Sequence, residues 1–444
     1  MIAALTVHTP ELGDRSYLVH DGNVGAVIDP QRDTDRLVGA ATTAGVRIAC
    51  VAETHVHNDY VSGGWALAQQ LGVPYLVAAG EEVSFDRLPV HDGDEIPVAP
   101  NFSLRVVGTP GHTPHHVTYV ALDHRRPVLA FTGGSLLFGS VGRTDLLGAA
   151  LAVPLARQQY RSVHDLGRLP GWVEVLPTHG FGSFCTVGEA PVEASTIEEE
   201  RAANRAFGAA GEDAFVEALL SDLVDYPRYY HRMAGWNRKR TPAPDLTPAP
   251  RLDGEEVRRM ATTDTWVVDL RAPRAFARAH LEGTINMPLD TPFTTHLGWL
   301  LSDDTPLALM AETASAVAVA QVDLARIGIE EIAGQYVGAL PPLAAREAVH
   351  SYPVRRFADL APAIGVPGHV ALDVRRHDEW QEGHLDGALH VPLHELEQRM
   401  DNLPPGTLWV HCSAGYRAAV AASLLERRGR EVVLIDDRFS PAGP

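Results

Sequence analysis

Short apolar runs alternate with helix-like segments through the first half of the chain. The apolar, strand-like runs are residues 16–19, 25–28, 47–52, 73–77, 102–107, 117–122, 128–132 and 173–176. The helix-like segments are residues 34–44, 61–71, 195–207 and 212–223. Short apolar runs bounded by turn residues are typical of strands, and longer segments that end at Gly are typical of helices. Strands interleaved with helices in this order predict two sheets covered by helices.

A proline-rich stretch ends this pattern. Residues 241–250 contain four prolines, which predict a stiff and extended linker. We therefore place a first domain at residues 1–235 and a linker at residues 236–250.

Beyond the linker, one pattern of strands and turns occurs twice. The Asp-x-Arg segment at 269–271 returns at 373–375, and the His-x-x-Gly segment at 280–283 returns at 384–387, each 104 positions later. Each copy reads as a strand, a short helix and a further strand, which is the sign of an internal repeat. This predicts two α/β modules with parallel sheets. The two predicted modules are residues 251–350 and residues 351–444.

Composition and charge narrow the class of protein. The chain has 444 residues, 45% of them hydrophobic, which suffices for about three domains with ordinary cores. Its formal net charge of −19 argues against nucleic acid or an anionic membrane as a partner. No apolar run reaches the ~18 residues of a membrane span, and the N-terminus lacks a signal-peptide pattern. Three widely spaced cysteines indicate a reducing compartment, so we expect a cytoplasmic protein, with a homo-oligomer as an open option.

A histidine cluster follows the apolar run 47–52. His55, His57 and Asp59 have the spacing His-x-His-x-Asp at the end of this predicted strand. In extended backbone, residues two apart point the same way, so His55 and His57 are expected to converge on one metal ion.

Three later segments bring similar side chains to strand ends. They are residues 109–116 with His112, residues 142–145 with Arg143, and residues 177–180 with His179. Several chain segments that each bring His or Asp to a strand end predict a metal site between them. Three imidazole ligands would suit Zn(II).

A cysteine loop lies in the second copy of the repeat. Cys412-Ser413-Ala414-Gly415-Tyr416-Arg417 follows the strand-like run 407–411 and precedes a helix. Backbone N–H groups at such a turn point at the sulfur, where they stabilise a thiolate and cradle an anion. Arg417 adds charge-assisted donors, and Ser413 and Gly415 are the other predicted substrate contacts. Cys412 is therefore the predicted nucleophile.

The first copy of the repeat has no such nucleophile. Counting back from Gly328 and Gly429 puts Ala311 opposite Cys412, and Glu312 follows Ala311. Without a cysteine or an arginine at this turn, the first module is expected to be a spacer or docking domain.

Residues 1–235 resemble the metallo-β-lactamase fold, and within that superfamily the persulfide dioxygenases. The resemblance rests on His-x-His-x-Asp at 55–59, Thr-Pro-Gly-His-Thr-Pro at 109–114, Gly-Arg-Thr-Asp at 142–145 and Thr-His-Gly at 178–180. It implies an αβ/βα sandwich with a non-heme metal centre.

Two departures from the family pattern concern the metal. Tyr60 stands where the hydrolytic relatives have a second-site histidine, which implies a single metal ion. Gly134 stands where the dioxygenase relatives have an iron-binding Asp. We predict one non-heme Fe(II) per chain, with Zn as the alternative.

The metal ligands follow in part from the resemblance. It keeps His55 and His112 as iron ligands. His57 is the predicted third ligand, and Asp59 or His179 are further candidates.

Two further residues are candidates for contact with the substrate. Arg143 either holds a substrate carboxylate or pairs with Asp145. Cys185, six residues after His179, either carries a persulfide near the metal or is a buried, inert thiol.

The two modules resemble rhodanese domains, and the whole layout resembles the persulfide dioxygenase–rhodanese fusions of bacterial sulfide detoxification. The resemblance implies that the metal site oxidises a persulfide with O₂ to sulfite, and that Cys412 transfers sulfane sulfur to sulfite to give thiosulfate. The expected partners are persulfides of the glutathione, coenzyme A, mycothiol or cysteine type, together with sulfite and O₂. Two alternatives remain: a zinc-dependent thioester hydrolase of glyoxalase II type, and a first domain that binds persulfide without catalysis.

Overall fold

Two compact units make up the chain. The computed structural model describes residues 1–186, 193–290, 292–340 and 348–440. The first unit is Met1–Asp245 with Leu324–Gly328, and the second is Leu246–Asp323 with Ile329–Pro444.

The first unit contains two six-stranded sheets. Its strands are β1 (Ala3–Thr9), β2 (Asp14–His20), β3 (Val24–Ile28), β4 (Arg47–Ala52), β5 (Tyr75–Ala78), β6 (Leu88–Val90), β7 (Glu95–Ala99), β8 (Phe102–Gly108), β9 (Val117–Asp123), β10 (Arg126–Gly133), β11 (Leu136–Leu137), β12 (Ser140–Val141), β13 (Glu174–Pro177) and β14 (Ser195–Thr196). Its helices are α1 (Asp35–Ala44), α2 (Gly64–Leu71), α3 (Ala149–Leu166), α4 (Ile197–Ala203), α5 (Arg205–Gly208), α6 (Glu212–Ser221) and α7 (Tyr230–Asn237). One sheet has the order β1-β2-β3-β4-β5-β6 and the other the order β14-β13-β10-β9-β8-β7.

The two sheets pack face to face with helices on their outer faces. Tyr17 and Val19 of β2 point into the core between the sheets, where they join Phe102 and Tyr119 of the second sheet. Leu18, between them in sequence, points to the opposite face and packs with residues of α1 and α2, as the alternation of a strand requires. Residues of α3, α4 and α6 cover the second sheet. The predicted αβ/βα sandwich is therefore confirmed.

Most predicted elements of this unit are present, with one large omission. The strand-like runs correspond to β2–β5, β8–β10 and β13, and the helix-like segments to α1, α2 and α4–α6. The 18-residue helix α3 has no counterpart among the predictions, and it carries Pro154 in its interior. Pro lacks the backbone N–H of a helical residue and clashes with the preceding turn, so it argues against a helix in the local sequence. The helix forms here because its apolar face packs on the second sheet.

The second unit contains two smaller parallel sheets. Its strands are β15 (Trp266–Asp269), β16 (His280–Leu281), β17 (Ile285–Asn286), β18 (Leu307–Ala311), β19 (Ile332–Val337), β20 (Val349–His350), β21 (Val354–Arg355), β22 (His369–Asp373), β23 (Leu389–His390), β24 (Thr407–His411) and β25 (Val432–Ile435). The helices after residue 246 are α8 (Gly254–Ala261), α9 (Pro273–Arg278), α10 (Phe293–Leu300), α11 (Ala314–Arg326), α12 (Phe357–Leu360), α13 (His377–Glu382), α14 (Leu396–Arg399) and α15 (Tyr416–Arg427).

The two sheets of the second unit have corresponding strand orders. The first is β17-β15-β18-β19 and the second is β23-β22-β24-β25-β21, all parallel. Asp269 pairs with Met310 in the first sheet, and Asp373 pairs with His411 in the second. Ala311 follows Met310, and Cys412 follows His411. The two sheets therefore place Ala311 and Cys412 at corresponding positions, as the alignment of the two copies does.

Contacts join the two copies of the repeat within this unit. The Tyr416 hydroxyl donates to the Pro288 carbonyl at 3.2 Å, immediately after the cysteine loop. Arg274 of α9 pairs with Asp436 just beyond β25, with 2.5 Å between Nε and Oδ2. The first copy, which has no cysteine at its turn, therefore contacts the second copy near the Cys412 loop.

None of the helices in the described part of the chain is long and apolar enough to cross a membrane.

Candidate metal centre and cysteine loop

Loops at one edge of the sandwich bring the histidines of the first unit together. His55 and His57 follow β4, His112 follows β8, and His179 follows β13. β3 and β4 are parallel, as are β10 and β13, so the carboxyl ends of neighbouring strands meet at a common edge. The ring centroids of His55, His112 and His179 are 4.9 to 5.5 Å apart. The predicted convergence of His55 and His112 is therefore present in the fold.

The hydrogen bond of His55 decides which of its nitrogens is free. Its Nδ1 lies 2.9 Å from the Thr54 hydroxyl, and that hydroxyl donates to Asp29 Oδ2 at 2.7 Å. Because the hydroxyl proton points at the carboxylate, Nδ1 must carry a proton and donate to the oxygen. The Nε2 lone pair of His55 is therefore available to a metal.

His112 has the same tautomer for a simpler reason. Its Nδ1 lies 2.8 Å from the Arg143 carbonyl, which only accepts hydrogen bonds. Its Nε2 is buried and has no hydrogen-bond partner in the described part of the chain. A buried lone pair without a donor is costly unless a cation binds it.

His179 completes the group. Its Nδ1 donates to Asp14 at 2.8 Å and to Asp59 at 3.0 Å. Its Nε2 faces Nε2 of His55 at 3.3 Å. One ring nitrogen from each of His55, His112 and His179 lies within 4.8 Å of the other two. Carboxylate, carbonyl and hydroxyl partners on the far nitrogens are the usual outer support of metal-bound histidines.

The protonation of these rings also suits a metal. Burial holds the pKa of His55 well below its ordinary value and lowers the pKa of His112 to about 3, so both rings are neutral near pH 7. Burial lowers the pKa of His179 too, but the carboxylates of Asp59 and Asp14 outweigh it and raise that pKa well above the ordinary value. A metal ion held by the three nitrogens would take the place of the proton between His179 and His55, so its uptake should release a proton. The donor set fits one divalent transition-metal ion.

His57 lies beside this group but is bonded differently, and this departs from the predicted ligand set. Its Nε2 lies 3.1 Å from Glu53, 3.3 Å from Asp29 and 3.0 Å from the Tyr60 hydroxyl. Burial lowers the pKa of His57, but the two carboxylates outweigh it and raise the pKa to about 9. His57 is not part of the group formed by His55, His112 and His179, whose ring nitrogens lie within 4.8 Å of one another. The rings of His55 and His57 lie side by side, with centroids 4.1 Å apart, as the two-residue spacing predicted, but Nε2 of His57 is bonded to the carboxylates.

Asp59 and Tyr60 fill the space next to His57. Asp59 accepts hydrogen bonds from His179 and, at 3.2 Å, from the Ser183 hydroxyl, so it supports His179. Its ligand atom also lies within 4.8 Å of those of His57 and His179, which form a second group of side chains able to hold an ion. Tyr60 stacks on His57 with ring centroids 4.3 Å apart and bonds to its Nε2. A phenol in this place favours the predicted single metal.

Asp29 is a functional residue that the sequence did not single out. Its carboxylate accepts the Thr54 backbone N–H at 2.7 Å and the Thr54 and Thr178 hydroxyls, and it faces His57. Its backbone has a positive φ of 51°, which is uncommon for a residue with a Cβ. The only local signal was Asp-Pro at the end of β3.

Gly134 stands where the dioxygenase relatives have an iron-binding Asp, and the structure leaves no room for a side chain there. A Cβ at this position would lie 2.2 Å from His112 Cδ2. The His112 ring therefore occupies the space that any side chain at 134 would need. Its own position is fixed by the Arg143 carbonyl and by Gly142, where an added Cβ would lie 2.6 Å from His112 Nδ1.

We expect Gly134→Ala to displace His112 and to lower metal affinity by about 10- to 100-fold, the effect of disturbing the support of a ligand. Metal content after dialysis against a weak chelator measures this. Gly39→Ala is the matched control, because an added Cβ there meets nothing within 4 Å in helix α1. Equal metal content in the two variants would contradict the expected crowding of His112.

Arg143 is bound within the protein. Its Nε and Nη2 donate to the two Asp145 oxygens at 2.7 and 2.8 Å, and further donors reach the carbonyls of Phe184 and Val224 at 3.0 and 2.8 Å. Its side chain is only 1% exposed, and its guanidinium lies over the Tyr226 ring. Of the two predicted roles, pairing with Asp145 agrees with this placement, and binding a substrate carboxylate does not.

Cys185 is buried beside Asp59. Burial, followed by the charges of Asp59 and Asp14, raises the pKa of its thiol well above the ordinary value. A buried neutral thiol is a poor nucleophile, so the predicted role as a persulfide carrier is not favoured by this position.

The cysteine loop of the second unit has the expected turn. Cys412 follows β24 and is almost fully buried, and α15 begins at Tyr416. The Gly415 backbone N–H donates to Cys412 Sγ at 3.2 Å. Gly415 has a φ of +95°, and a Cβ there would lie 2.3 Å from Asp436 Oδ1. Only glycine therefore allows this N–H to reach the sulfur without strain.

The other two predicted contacts of this loop are bonded to a carboxylate. Arg417 donates to both oxygens of Glu379, at 2.5 and 2.7 Å, and Ser413 donates to the same carboxylate at 2.6 Å. Burial lowers the pKa of Arg417, but Glu379 and Cys412 outweigh it and raise that pKa. Glu379 was not among the predicted site residues.

Comparisons with known proteins agree with both units. The rhodanese-like domain family matches residues 358–440. Human mitochondrial persulfide dioxygenase ETHE1 is 33% identical over 196 residues, which are 44% of this chain and 68% of that protein. Hydroxyacylglutathione hydrolase of Cupriavidus taiwanensis is 31% identical over 176 residues, 37% of this chain and 62% of that protein.

A solved structure extends the likeness beyond the first unit. A metallo-β-lactamase structure from Staphylococcus aureus is 28% identical, with a TM-score of 0.68, and covers 76% of this chain and 99% of its own. The metallo-β-lactamase fold and the parallel α/β sheets of the second unit agree with these relatives, and the protein is an enzyme. The chain belongs to the persulfide dioxygenase family and carries a rhodanese-like domain at its C-terminal end.

Proposed function

We propose that the first unit oxidises a low-molecular-weight persulfide with O₂ to thiol and sulfite. The observation that supports this most is the set of ring nitrogens of His55, His112 and His179, which face one point and have their far nitrogens bonded. A bound Fe(II) would supply the redox chemistry that O₂ requires. The protein residues hold His55 and His112 neutral and orient all three rings, and the buried surroundings exclude bulk water.

The proposed ion is one Fe(II) per chain, with Zn(II) as the alternative. A site of three neutral imidazoles lacks the negative charge that a carboxylate ligand would add, so it attracts an anionic persulfide more strongly. Because Gly134 leaves no carboxylate on that strand end, the acids Asp14 and Asp59 act on the site through His179.

We further propose that Cys412 makes thiosulfate. Its thiolate attacks the sulfane sulfur of R–S–SH, the new S–S bond forms at Sγ, and the thiolate RS⁻ leaves. Sulfite then attacks the outer sulfur, and the Cys412 thiolate leaves as thiosulfate forms. The Gly415 N–H at 3.2 Å stabilises the charge on the sulfur in both steps.

The layout follows from these activities. We propose a dioxygenase domain at 1–235, a linker at 236–250, a rhodanese-like module without a nucleophile at 251–350, and a sulfurtransferase module at 351–444. Linking two consecutive activities raises the effective concentration of the reactive intermediate. Persulfides of glutathione, coenzyme A, mycothiol or cysteine are the proposed donors, and a reducing cytoplasm is the proposed compartment.

Metal content and oxygen uptake test this function together. We expect protein purified without oxygen to contain about one iron per chain and to consume O₂ when glutathione persulfide is added, with sulfite as the product. Zinc with cleavage of a glutathione thioester would instead support the hydrolase. The similarity to hydroxyacylglutathione hydrolase of Cupriavidus taiwanensis is the reason to test it. Persulfide binding without turnover would support a binding domain. Either result would overturn the proposed oxidation.

A further inference from the structure

Glu379 is the unexpected residue of the cysteine loop. Its carboxylate accepts two hydrogen bonds from Arg417 and one from Ser413, so both polar side chains of the loop face an internal anion. Arg417 in turn donates to the Ser413 hydroxyl at 2.9 Å, which closes a three-residue network. The guanidinium that a substrate anion would need is thus already paired.

Glu379 carries a negative charge over the whole physiological pH range. Burial raises its pKa, but Arg417 and Ser413 outweigh this and bring the pKa to about 2, so the carboxylate is ionised at all physiological pH values. The side chains of Glu379 and Arg417 are 19% and 16% exposed, so the pair is only partly screened by water. The net charge of this pair is zero.

Three other arginines near the loop are paired as well. Arg375 donates to Asp373, Arg376 to Asp378, and Arg274 to Asp436. Among these described residues, the loop therefore offers backbone N–H groups but no excess positive charge to an incoming anion.

We propose that Glu379 is a specificity-determining residue of the Cys412 loop, which favours a persulfide over the thiosulfate dianion as sulfur donor. This rests on the proposed sulfur transfer by Cys412. A persulfide reaches the loop neutral or with one charge, whereas thiosulfate brings two negative charges close to the Glu379 carboxylate. The same repulsion weakens the hold on thiosulfate once it has formed, so the product leaves.

The residue also has a structural contact that a test must separate. Glu379 accepts the Arg376 backbone N–H at 3.1 Å as the third residue of helix α13, in a capping box. Glutamine keeps this cap and removes the charge. Glu379→Gln is therefore the informative variant, and Asp378→Asn is the matched control, because it removes the same charge from a residue that pairs with Arg376 outside the loop.

The experiment measures thiocyanate formation by the full chain without oxygen, with cyanide as acceptor and either thiosulfate or glutathione persulfide as donor. We expect Glu379→Gln to raise kcat/KM for thiosulfate about tenfold, the effect of one partly screened charge, and to change that for persulfide less than about twofold. The gain should shrink as salt is added. Asp378→Asn should behave like the unchanged protein.

Two results would overturn the inference. One is an equal change for both donors in Glu379→Gln, and the other is the same gain in Asp378→Asn. If Glu379→Gln does not fold, Glu379→Asp keeps the charge and must retain the preference for persulfide. Should Cys412→Ser still transfer sulfur, the proposed function itself fails; if that variant is inactive while Glu379→Gln changes neither donor, only the role of Glu379 is lost.

Discussion

Replacing His179 by alanine is expected to strip the metal from the first unit. One of the three proposed ligands is lost, and the Asp14 and Asp59 carboxylates that hold its far nitrogen lose their common partner. Metal affinity should fall by more than the ~10- to 100-fold that follows loss of an outer partner, and O₂ uptake should fall with it. Metal analysis after dialysis gives the result directly.

Two further variants make this test specific. His115→Ala removes an exposed histidine from the same loop as His112 and should keep the metal. His57→Ala distinguishes the two ligand sets, because His57 is bonded to Glu53 and Asp29 through Nε2. If His57→Ala loses the metal while His179→Ala retains it, the ligand set read from the sequence is right and the one drawn from the fold is wrong.

Cys412→Ser should abolish sulfur transfer and leave O₂ uptake intact. A hydroxyl is a far weaker nucleophile than a thiolate, so transfer from persulfide to sulfite should fall by at least about 1,000-fold. Thiosulfate formation and oxygen consumption are measured on the same sample. Cys50→Ser is a control for loss of a buried cysteine, since Cys50 lies in the core of the first unit. Loss of both activities in Cys412→Ser would refute the division of labour between the two sites.

The fold could be predicted further than the site. The positions of the strands along the chain follow from apolar runs and turn residues, which are local signals. Arg143 illustrates the limit, because its carbonyl partners Phe184 and Val224 lie 41 and 81 residues away in sequence. No periodicity reveals such distant partners, so pairing and substrate binding could not be separated.

The ligand set shows a different limit. His55 and His112 were found because motifs mark them, but choosing between His57 and His179 required the loop conformation after β4. Asp14 and Asp59 decide the role of His179, and Asp14 is 165 residues from it. Glu379 was missed for the same reason, since its partners Ser413 and Arg417 lie on another segment.

The pair formed by Arg274 and Asp436 links the two modules of the second unit by an electrostatic contact. Asp436 lies against Gly415, and its charge is balanced by an arginine from the module that has no cysteine at its turn. Without Arg274, the negative charge of Asp436 would stand beside the cysteine loop without its arginine partner. The first module thereby tunes the electrostatics of the loop, although its own turn carries Ala311 instead of a cysteine.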